Sequence, residues 1–372
     1  MRVHMGQASV ALASLLPKDA SQEGLALQGP DGQGRSGEVV SRGGLSQRMK
    51  MALWNRVLRK LPIVAPALRD SQKWAFRESA RSCGAGLYHE PNFIAMPFEG
   101  PIVVTVHDLS VLRHPETHPA ERVRYMSDNM GESLHRADRI VTVSEFVRRE
   151  VLEVFGSVMA PKTVAIHNGV TEHFRPRPEA ALEPVLRRYD LAYGQYLLAL
   201  GTLEPRKNLV RLLKAYRLAG PLPPLVLVGD SGWEGQALRD ALHAYRDLPI
   251  RVLGYLPQED LPLVVAGARV MAYPSVYEGF GLPLVEAMAS GVPVLSSKAS
   301  ALTEVLDGAG LQAEAQDIDA MAVALRQLHE DEALRRDLVA RGLVRARAFS
   351  WQKTGAQLSA LYSHLSPKHW PA

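Results

Sequence analysis

The chain has 372 residues, 47% of them hydrophobic and 22% charged, with a formal net charge of +4. That length and balance describe about two globular domains and exclude a disordered chain, and no apolar run reaches the roughly 18 residues that cross a bilayer. A single cysteine, Cys83, excludes an internal disulfide and a cysteine zinc site and points to a reducing, cytoplasmic setting, while 6% aromatic residues with no interleaved basic cluster exclude a binder of single-stranded nucleic acid.

In chain order, "MRVHMGQASVALASLLPKDASQ" opens with a basic residue and a short apolar run. It mimics a signal peptide loosely, but the Gly6–Gln7 pair and the small residues read as a buried helix. Residues 21–46, rich in Gly, Ser and Gln, read as loop. In "QRMKMALWNRVLRKLPIV" (47–64), Leu53, Trp54, Val57, Leu58 and Leu61 share one face, while Arg48, Lys50, Arg56, Arg59 and Lys60 supply cations. Such a segment packs its apolar face on a sheet and presents its cations to an anionic membrane surface.

Short apolar, β-branched runs follow at 101–108, 138–144, 162–169, 196–202, 224–230, 269–275 and 291–297, separated by helix-length segments. Near-continuous apolar strands alternating with helices indicate parallel sheets covered on both faces, here occurring twice. The fold class is therefore α/β, doubly wound. Between the two sets, residues 174–195 hold three prolines and mixed charge and read as a linker. The organisation is an N-terminal domain over 1–176, a linker over 177–195, a C-terminal domain over 196–350, and a closing helix over 351–366 capped by Ser350. In such folds ligands bind beyond the carboxyl ends of the strands.

Two motifs stand there. After the run ending at Tyr273 comes "EGFGLPLVE", residues 278–286. Pro283 suits the first turn of a helix, Gly279 and Gly281 allow close approach of backbone to ligand, and the helix start offers amides to an anion. A carboxylate repels phosphate, so Glu286, about one turn in, is matched to a ribose diol and Glu278 to hydroxyls at the sugar end of the same ligand. The second motif is "GTLEPRKNLVRLLKAY" (201–216), in which Asn208 is the expected N-cap. Arg206 and Lys207 sit at the positive end of that helix, where cations are disfavoured by about 0.3–1 kcal/mol each unless an anion such as a diphosphate accompanies them.

On these residues the chain resembles glycosyltransferase family 4, over roughly positions 87–362. The glutamate–seven residues–glutamate motif is Glu278 and Glu286, and the basic pair is Arg206 and Lys207. The resemblance implies the glycosyltransferase B fold, two Rossmann-like domains facing each other across a cleft. It implies a retaining transfer from a sugar nucleotide in which Glu278 meets the donor sugar, Glu286 holds the ribose, and Arg206 and Lys207 neutralise the diphosphate. Thr202, Gly279, Phe280, Gly281 and Leu282 join the donor-binding set, and "GYLPQEDL" (254–261) resembles the nucleobase-contacting turn through Tyr255 and Leu256. "LYHEPNF" (87–93) and "VVTVHDLSVLRHPETHP" (103–119) resemble bacterial mannosyltransferases and rhamnosyltransferases of polysaccharide and O-antigen assembly, placing His107 beside donor sugar and acceptor. "SEFVRREVLEVFG" (144–156) and "IHNGV" (166–170) match as packing and turn elements.

The implied donor is GDP-mannose and the acceptor a growing or polyprenyl-linked glycan, with no nucleic acid partner. Transfer from UDP- or GDP-rhamnose, a non-catalytic sugar-nucleotide binder or partner subunit, and a sugar-nucleotide epimerase are the competing readings. No cofactor or metal is expected, because the basic pair and helix amides neutralise the diphosphate; "DID" (317–319) imitates a manganese motif, but Asp317 opens an amphipathic helix as its N-cap. The chain departs from the family at its start, where the N-terminal domain is expected to lack its first strand and most of its glycine-rich loop.

Overall fold

A computed structural model describes residues 3–5, 64–230 and 236–365. They fall into two compact units. The first holds the described residues up to 89 together with 96–101. In it, strand β1 (Val3–Met5) pairs in parallel with Leu87–His89 of strand β2 (Leu87–Glu90). The expected absence of a first strand is thus corrected: three residues suffice for a strand when a parallel partner is waiting, but are too few to show a period in sequence. The helix Val64–Ser82 precedes β2, and Tyr88 packs against Phe76 and Phe98 at centroid distances of 4.7 and 5.9 Å. The loop reading of 21–46 and nearly all of the basic segment 47–64 lie outside the described residues.

The second unit contains residues 90–95 and 102–365. Strands β3 (Ile102–Val106), β4 (Arg139–Thr142) and β5 (Thr163–Ala165) run parallel in that order. The helices Ala120–Arg136 and Glu145–Phe155 connect them. A second parallel sheet has six strands, β6 (Leu197–Leu200), β7 (Leu225–Val228), β8 (Ile250–Gly254), β9 (Val270–Tyr273), β10 (Val294–Ser297) and β11 (Leu311–Ala313). Their spatial order is β11-β10-β9-β6-β7-β8. The chain builds outward from β6 through β7 to β8, then returns to the other side of β6 with β9. The switch point is therefore between β6 and β9, which pair at Leu197–Val270 and Leu198–Met271. A doubly wound sheet opens its ligand crevice at that point, beyond the strand ends. Both motifs start there, at Gly201 after β6 and at Pro274 after β9.

The central strands are apolar throughout and fully buried, as Leu225–Val228 and Val270–Tyr273 show. The two edge strands of this sheet escaped the sequence reading, as did β2. β8 is half-exposed with Arg251 breaking its apolar run, and β11 has only three residues.

Within the residues read as a linker lies a helix that the sequence reading missed. Residues 179–188 form a helix, with Leu182 and Leu186 buried one turn apart, that packs on the helix Leu261–Ala266. Arg188 and Tyr189 at its end bind the buried Asp260 carboxylate, each at 2.6 Å. Pro184 hid this helix in sequence, because proline inside a helix normally breaks it. The closing helix spans Trp351–Leu365, with Ser350 Oγ accepting from the Lys353 amide at 3.2 Å. It starts against the "IHNGV" turn: a Cβ on Gly169 would lie 2.1 Å from the Trp351 nitrogen, and Thr354 Oγ1 donates to the His167 carbonyl at 2.7 Å.

Candidate active site

The motif after β6 makes a short 3-10 turn at Pro205–Lys207 before the helix Leu209–Ala219. Asn208 stands at the N-cap position in the left-handed region, φ 59°, and its side chain makes no cap bond, contrary to expectation. Its amide instead donates to the carbonyls of Pro274 (3.0 Å) and Ala315 (2.7 Å). The buried Asn208 therefore ties together the chain leaving β6, β9 and β11.

Arg206 and Lys207 do not await an anion with empty hands. Lys207 Nζ donates to Glu278 Oε1 at 2.6 Å and to the Tyr273 hydroxyl at 2.7 Å. Arg206 binds Glu278 Oε2 at 2.8 Å, Glu204 at 2.5 Å, and the Tyr277 carbonyl at 2.7 Å. Two cations thus face two buried carboxylates. Burial alone would push the Glu278 carboxyl up, but Lys207 and Arg206 overcome it and hold it at about 2. For both cations burial pulls the pKa down and Glu278 outweighs it, so both stay protonated. Arg206 Nε, also buried, has no hydrogen-bond partner among the described residues.

Glu286 has the opposite environment. It lies half-buried in the helix Leu282–Ala289 and has no ion pair or side-chain hydrogen bond among the described residues. Burial raises its carboxyl to about 7. Two glutamates in one motif are therefore driven apart: Glu278 is locked as an anion, and Glu286 sits near half-ionised at neutral pH. Divergent environments of this kind mark groups with different tasks.

The glycines between them have specific duties. A Cβ on Gly279 would lie 1.7 Å from the His107 carbonyl oxygen, so its bareness serves the close approach of the β3 strand end. Gly281 takes φ 95° at the helix entry, a conformation L side chains resist. Phe280 is buried, its ring 5.9 Å from that of His167 and 5.4 Å from that of Phe349, so only its main chain remains for ligand contact. Leu282, half-buried, is the first residue of the helix.

His107 follows β3 and is exposed. Its Nε2 lies 2.8 Å from the Pro91 carbonyl. A carbonyl only accepts, so Nε2 is the donor in this contact. Next to it, Asp108 Oδ1 takes hydrogen bonds from the Ser110 amide (2.8 Å) and hydroxyl (2.6 Å). Ser110 Oγ in turn meets His118 Nε2 at 2.9 Å. Burial, then Arg122, depresses the His118 pKa, favouring its neutral form.

Thr202 and Tyr255 are exposed on separate loops at the carboxyl ends of β6 and β8, and Tyr255 is 75% exposed. The Leu256 side chain is buried, which leaves only its main chain for a nucleobase. Asp317 caps the helix Ile318–Glu330, accepting from the Ala320 amide at 2.9 Å, as its position in sequence implied. Among the described residues no three His, Cys, Asp or Glu side chains gather to hold a metal.

Several participants carry no sequence signal. Glu204 lies inside the basic motif, yet nothing in "LEPRKN" shows that it folds back on Arg206. Ser300, at φ 51°, accepts the Glu278 amide through Oγ at 2.8 Å from the start of the helix Ser300–Leu306. Further along that helix, Glu304 accepts the amides of Glu145 (2.9 Å) and Phe146 (2.8 Å) and meets His167 Nε2 at 2.8 Å. Together with Ser144 Oγ on the Val147 amide, it satisfies the first turn of the helix Glu145–Phe155.

The buried cations Arg206 and Lys207 thus stand at the switch point of a doubly wound sheet, where such folds bind their ligands. Residues 193–344 match the glycosyl transferases group 1 and residues 53–174 match glycosyltransferase family 4. The chain is 41% identical over 318 residues to the O-antigen chain mannosyltransferase B of Escherichia coli, covering 83% of this chain and 82% of that protein. It is 30% identical over 267 residues to the serotype-specific mannosyltransferase WbdA of Escherichia coli, covering 68% of this chain and 32% of that protein, so it spans about a third of that relative. The solved structure of Anabaena HepE in complex with UDP-glucose superposes with a TM-score of 0.67 at 20% identity, over 79% of this chain and 82% of that one. The chain belongs to glycosyltransferase family 4. It is a glycosyltransferase of the B fold, built on two parallel α/β sheets.

Proposed function

We propose that this chain is a retaining mannosyltransferase that moves mannose from GDP-mannose onto a growing polysaccharide or lipid-linked glycan. The observation that carries the reading is the divided pair of glutamates: an ionised Glu278 anchoring Arg206 and Lys207, and, in the helix that follows, a half-buried Glu286 with no ion pair among the described residues. Similarity to a protein named as an O-antigen chain mannosyltransferase supports mannose as the sugar.

In this reading Arg206 and Lys207 take the diphosphate, with the buried Arg206 Nε as a donor held in reserve, and Glu286 accepts from the ribose hydroxyls. Glu278 fixes both cations and accepts a sugar hydroxyl with its remaining lone pairs. Thr202, the Gly279–Leu282 main chain and the 255–256 turn complete the donor contacts. As the bond from the anomeric carbon to the phosphate oxygen breaks, the acceptor hydroxyl oxygen bonds to that carbon on the same face. The acceptor proton passes to the departing phosphate oxygen. Catalysis is then electrostatic stabilisation of the developing diphosphate charge. His107, exposed at the end of β3, orients the acceptor or sugar hydroxyls.

No metal is required in this reading, since two cations already serve the leaving group. The N-terminal domain (1–176) receives the acceptor and the C-terminal domain (196–350) the donor. Among the described residues no helix is long and apolar enough to cross a membrane. The cations of 47–64 would hold the enzyme peripherally on the cytoplasmic face, where a polyprenyl-linked acceptor resides. Incubation with a panel of sugar nucleotides, following nucleotide release, tests the reading. GDP release from GDP-mannose, undiminished by a chelator, is expected. Release only from another sugar nucleotide would replace the donor, and strict manganese dependence would remove the metal-free claim.

A further inference from the structure

Tyr277 directly precedes Glu278, and its side chain is almost entirely buried. Its hydroxyl accepts the amide of Leu109, two residues beyond His107, at 3.0 Å. The same hydroxyl donates to Glu150 in the helix Glu145–Phe155. Glu150 is buried too, and its other oxygen accepts Arg113 Nε at 3.0 Å. At the other end of the residue, the Tyr277 carbonyl accepts from Arg206 NH1 at 2.7 Å, the nitrogen that also reaches Glu278. One residue thus holds the segment after β3 by its hydroxyl and the guanidinium of the anion cradle by its carbonyl.

We propose that Tyr277, fixed by Glu150, is a positioning residue that sets the orientation of Arg206 and Glu278 relative to the His107 strand end. The inference rests on the reading of Arg206 and Lys207 as the diphosphate cradle. Its physical basis is rigidity. A tyrosine ring has two rotatable bonds, and here both its hydroxyl and its main chain are fixed, so the guanidinium it holds cannot swing with solvent. An ordinary core tyrosine needs one buried partner for its hydroxyl. This one has a donor and an acceptor, drawn from two segments of the β3–β5 layer, and nothing about packing requires both.

Loss of the hydroxyl leaves the ring in place but frees the register between the two strand ends. Misplacement of a catalytic group by about 1 Å lowers turnover by up to roughly a hundredfold. Binding of free nucleotide does not demand that register, since Lys207 and Glu286 remain.

The test uses the full chain with GDP-mannose for turnover and GDP for calorimetry. Tyr277→Phe is expected to lower turnover by roughly tenfold to a hundredfold, with KM for donor and affinity for GDP within about threefold of wild type. Glu150→Ala is expected to do the same, whereas Glu150→Gln, which keeps an acceptor for the hydroxyl, retains turnover within about threefold. The double variant Tyr277→Phe/Glu150→Ala is expected to be no slower than the slower single variant, as for two residues acting as one unit. Amide exchange at Leu109 should rise in Tyr277→Phe while the β3 amides stay protected. Unchanged turnover in Tyr277→Phe, or multiplicative losses in the double variant, overturns the inference. A Lys207→Ala variant that still binds GDP with full affinity signals the other failure, that of the cradle itself. Should Glu150→Ala not fold, the Tyr277→Phe turnover and the Glu150→Gln rescue decide alone.

Discussion

Replacing Glu286 by glutamine should make the protein more stable, and only above mildly acidic pH. In the folded chain burial displaces this carboxyl from its ordinary 4.5 to about 7, with no partner among the described residues to compensate. A folded-state pKa above the unfolded one means the native state binds the proton more tightly. Stability therefore falls as pH rises from about 4.5 to about 7 and stays reduced beyond. At about 1.4 kcal/mol per pH unit the full displacement corresponds to about 3 kcal/mol, and solvent on the open side of Glu286 brings it nearer to 2. Glutamine keeps the shape and has no charge to bury. Thermal melts of wild type and Glu286→Gln at pH 5 and pH 8 measure the effect. The variant should melt roughly 2–4 °C higher at pH 8 and close to wild type at pH 5. The gain should be accompanied by weaker GDP binding, by about 1 kcal/mol, because a neutral amide replaces a charged acceptor. A variant no more stable than wild type at pH 8, or equally stabilised at both pH values, would refute the reasoning. A residue that lowers stability and raises affinity belongs to a binding site; one that lowers both on removal belongs to the core.

Lys207→Ala should weaken GDP binding by about 1.5–3 kcal/mol in calorimetry, the worth of a charge-assisted contact. It should also lower the melting temperature, because Glu278 loses one of its two buried cations. Glu278→Ala should leave free GDP affinity within a few fold yet abolish most turnover of GDP-mannose; equal losses in both would deny it the sugar end. Affinity for GDP in the wild type should strengthen as pH rises through 7, where Glu286 ionises, and a flat profile would separate that residue from the nucleotide. Sedimentation with anionic vesicles should show binding at low salt that is lost when Arg48, Lys50, Arg56, Arg59 and Lys60 are replaced; binding indifferent to those replacements would exclude an electrostatic contact.

The interior of the fold was legible because its strands are long apolar runs, and a run such as "VVTV" or "LVLV" has few alternatives once helices flank it. Four short or mixed strands were not. Strands β1 and β11 have three residues each, β2 turns polar at His89 after two residues, and β8 mixes Arg251 into its run, so their pairing is decided by a neighbour far off in sequence. The positions of Arg206, Lys207, Glu278 and Glu286 at strand ends were readable for the same reason as the strands. Their partners were not, since whether a lysine meets a phosphate or a glutamate depends on two loops arriving together. Gly279 illustrates the limit: sequence showed that a side chain was forbidden there, but not that the His107 carbonyl forbids it. Asn208 likewise has the right residue type for a helix cap and a backbone that turns its amide elsewhere.

The carboxylate of Glu304 completes a helix that begins 159 residues earlier. Amides at a helix start that lose their acceptor are left to water, and each such bond to a charged group is worth about 1.5–3 kcal/mol. The helix Glu145–Phe155, which also carries Glu150, is therefore fully finished only while the Ser300–Leu306 segment rests against it. Parting the two would undo the helix start and loosen the Glu278 main chain through Ser300 in the same movement.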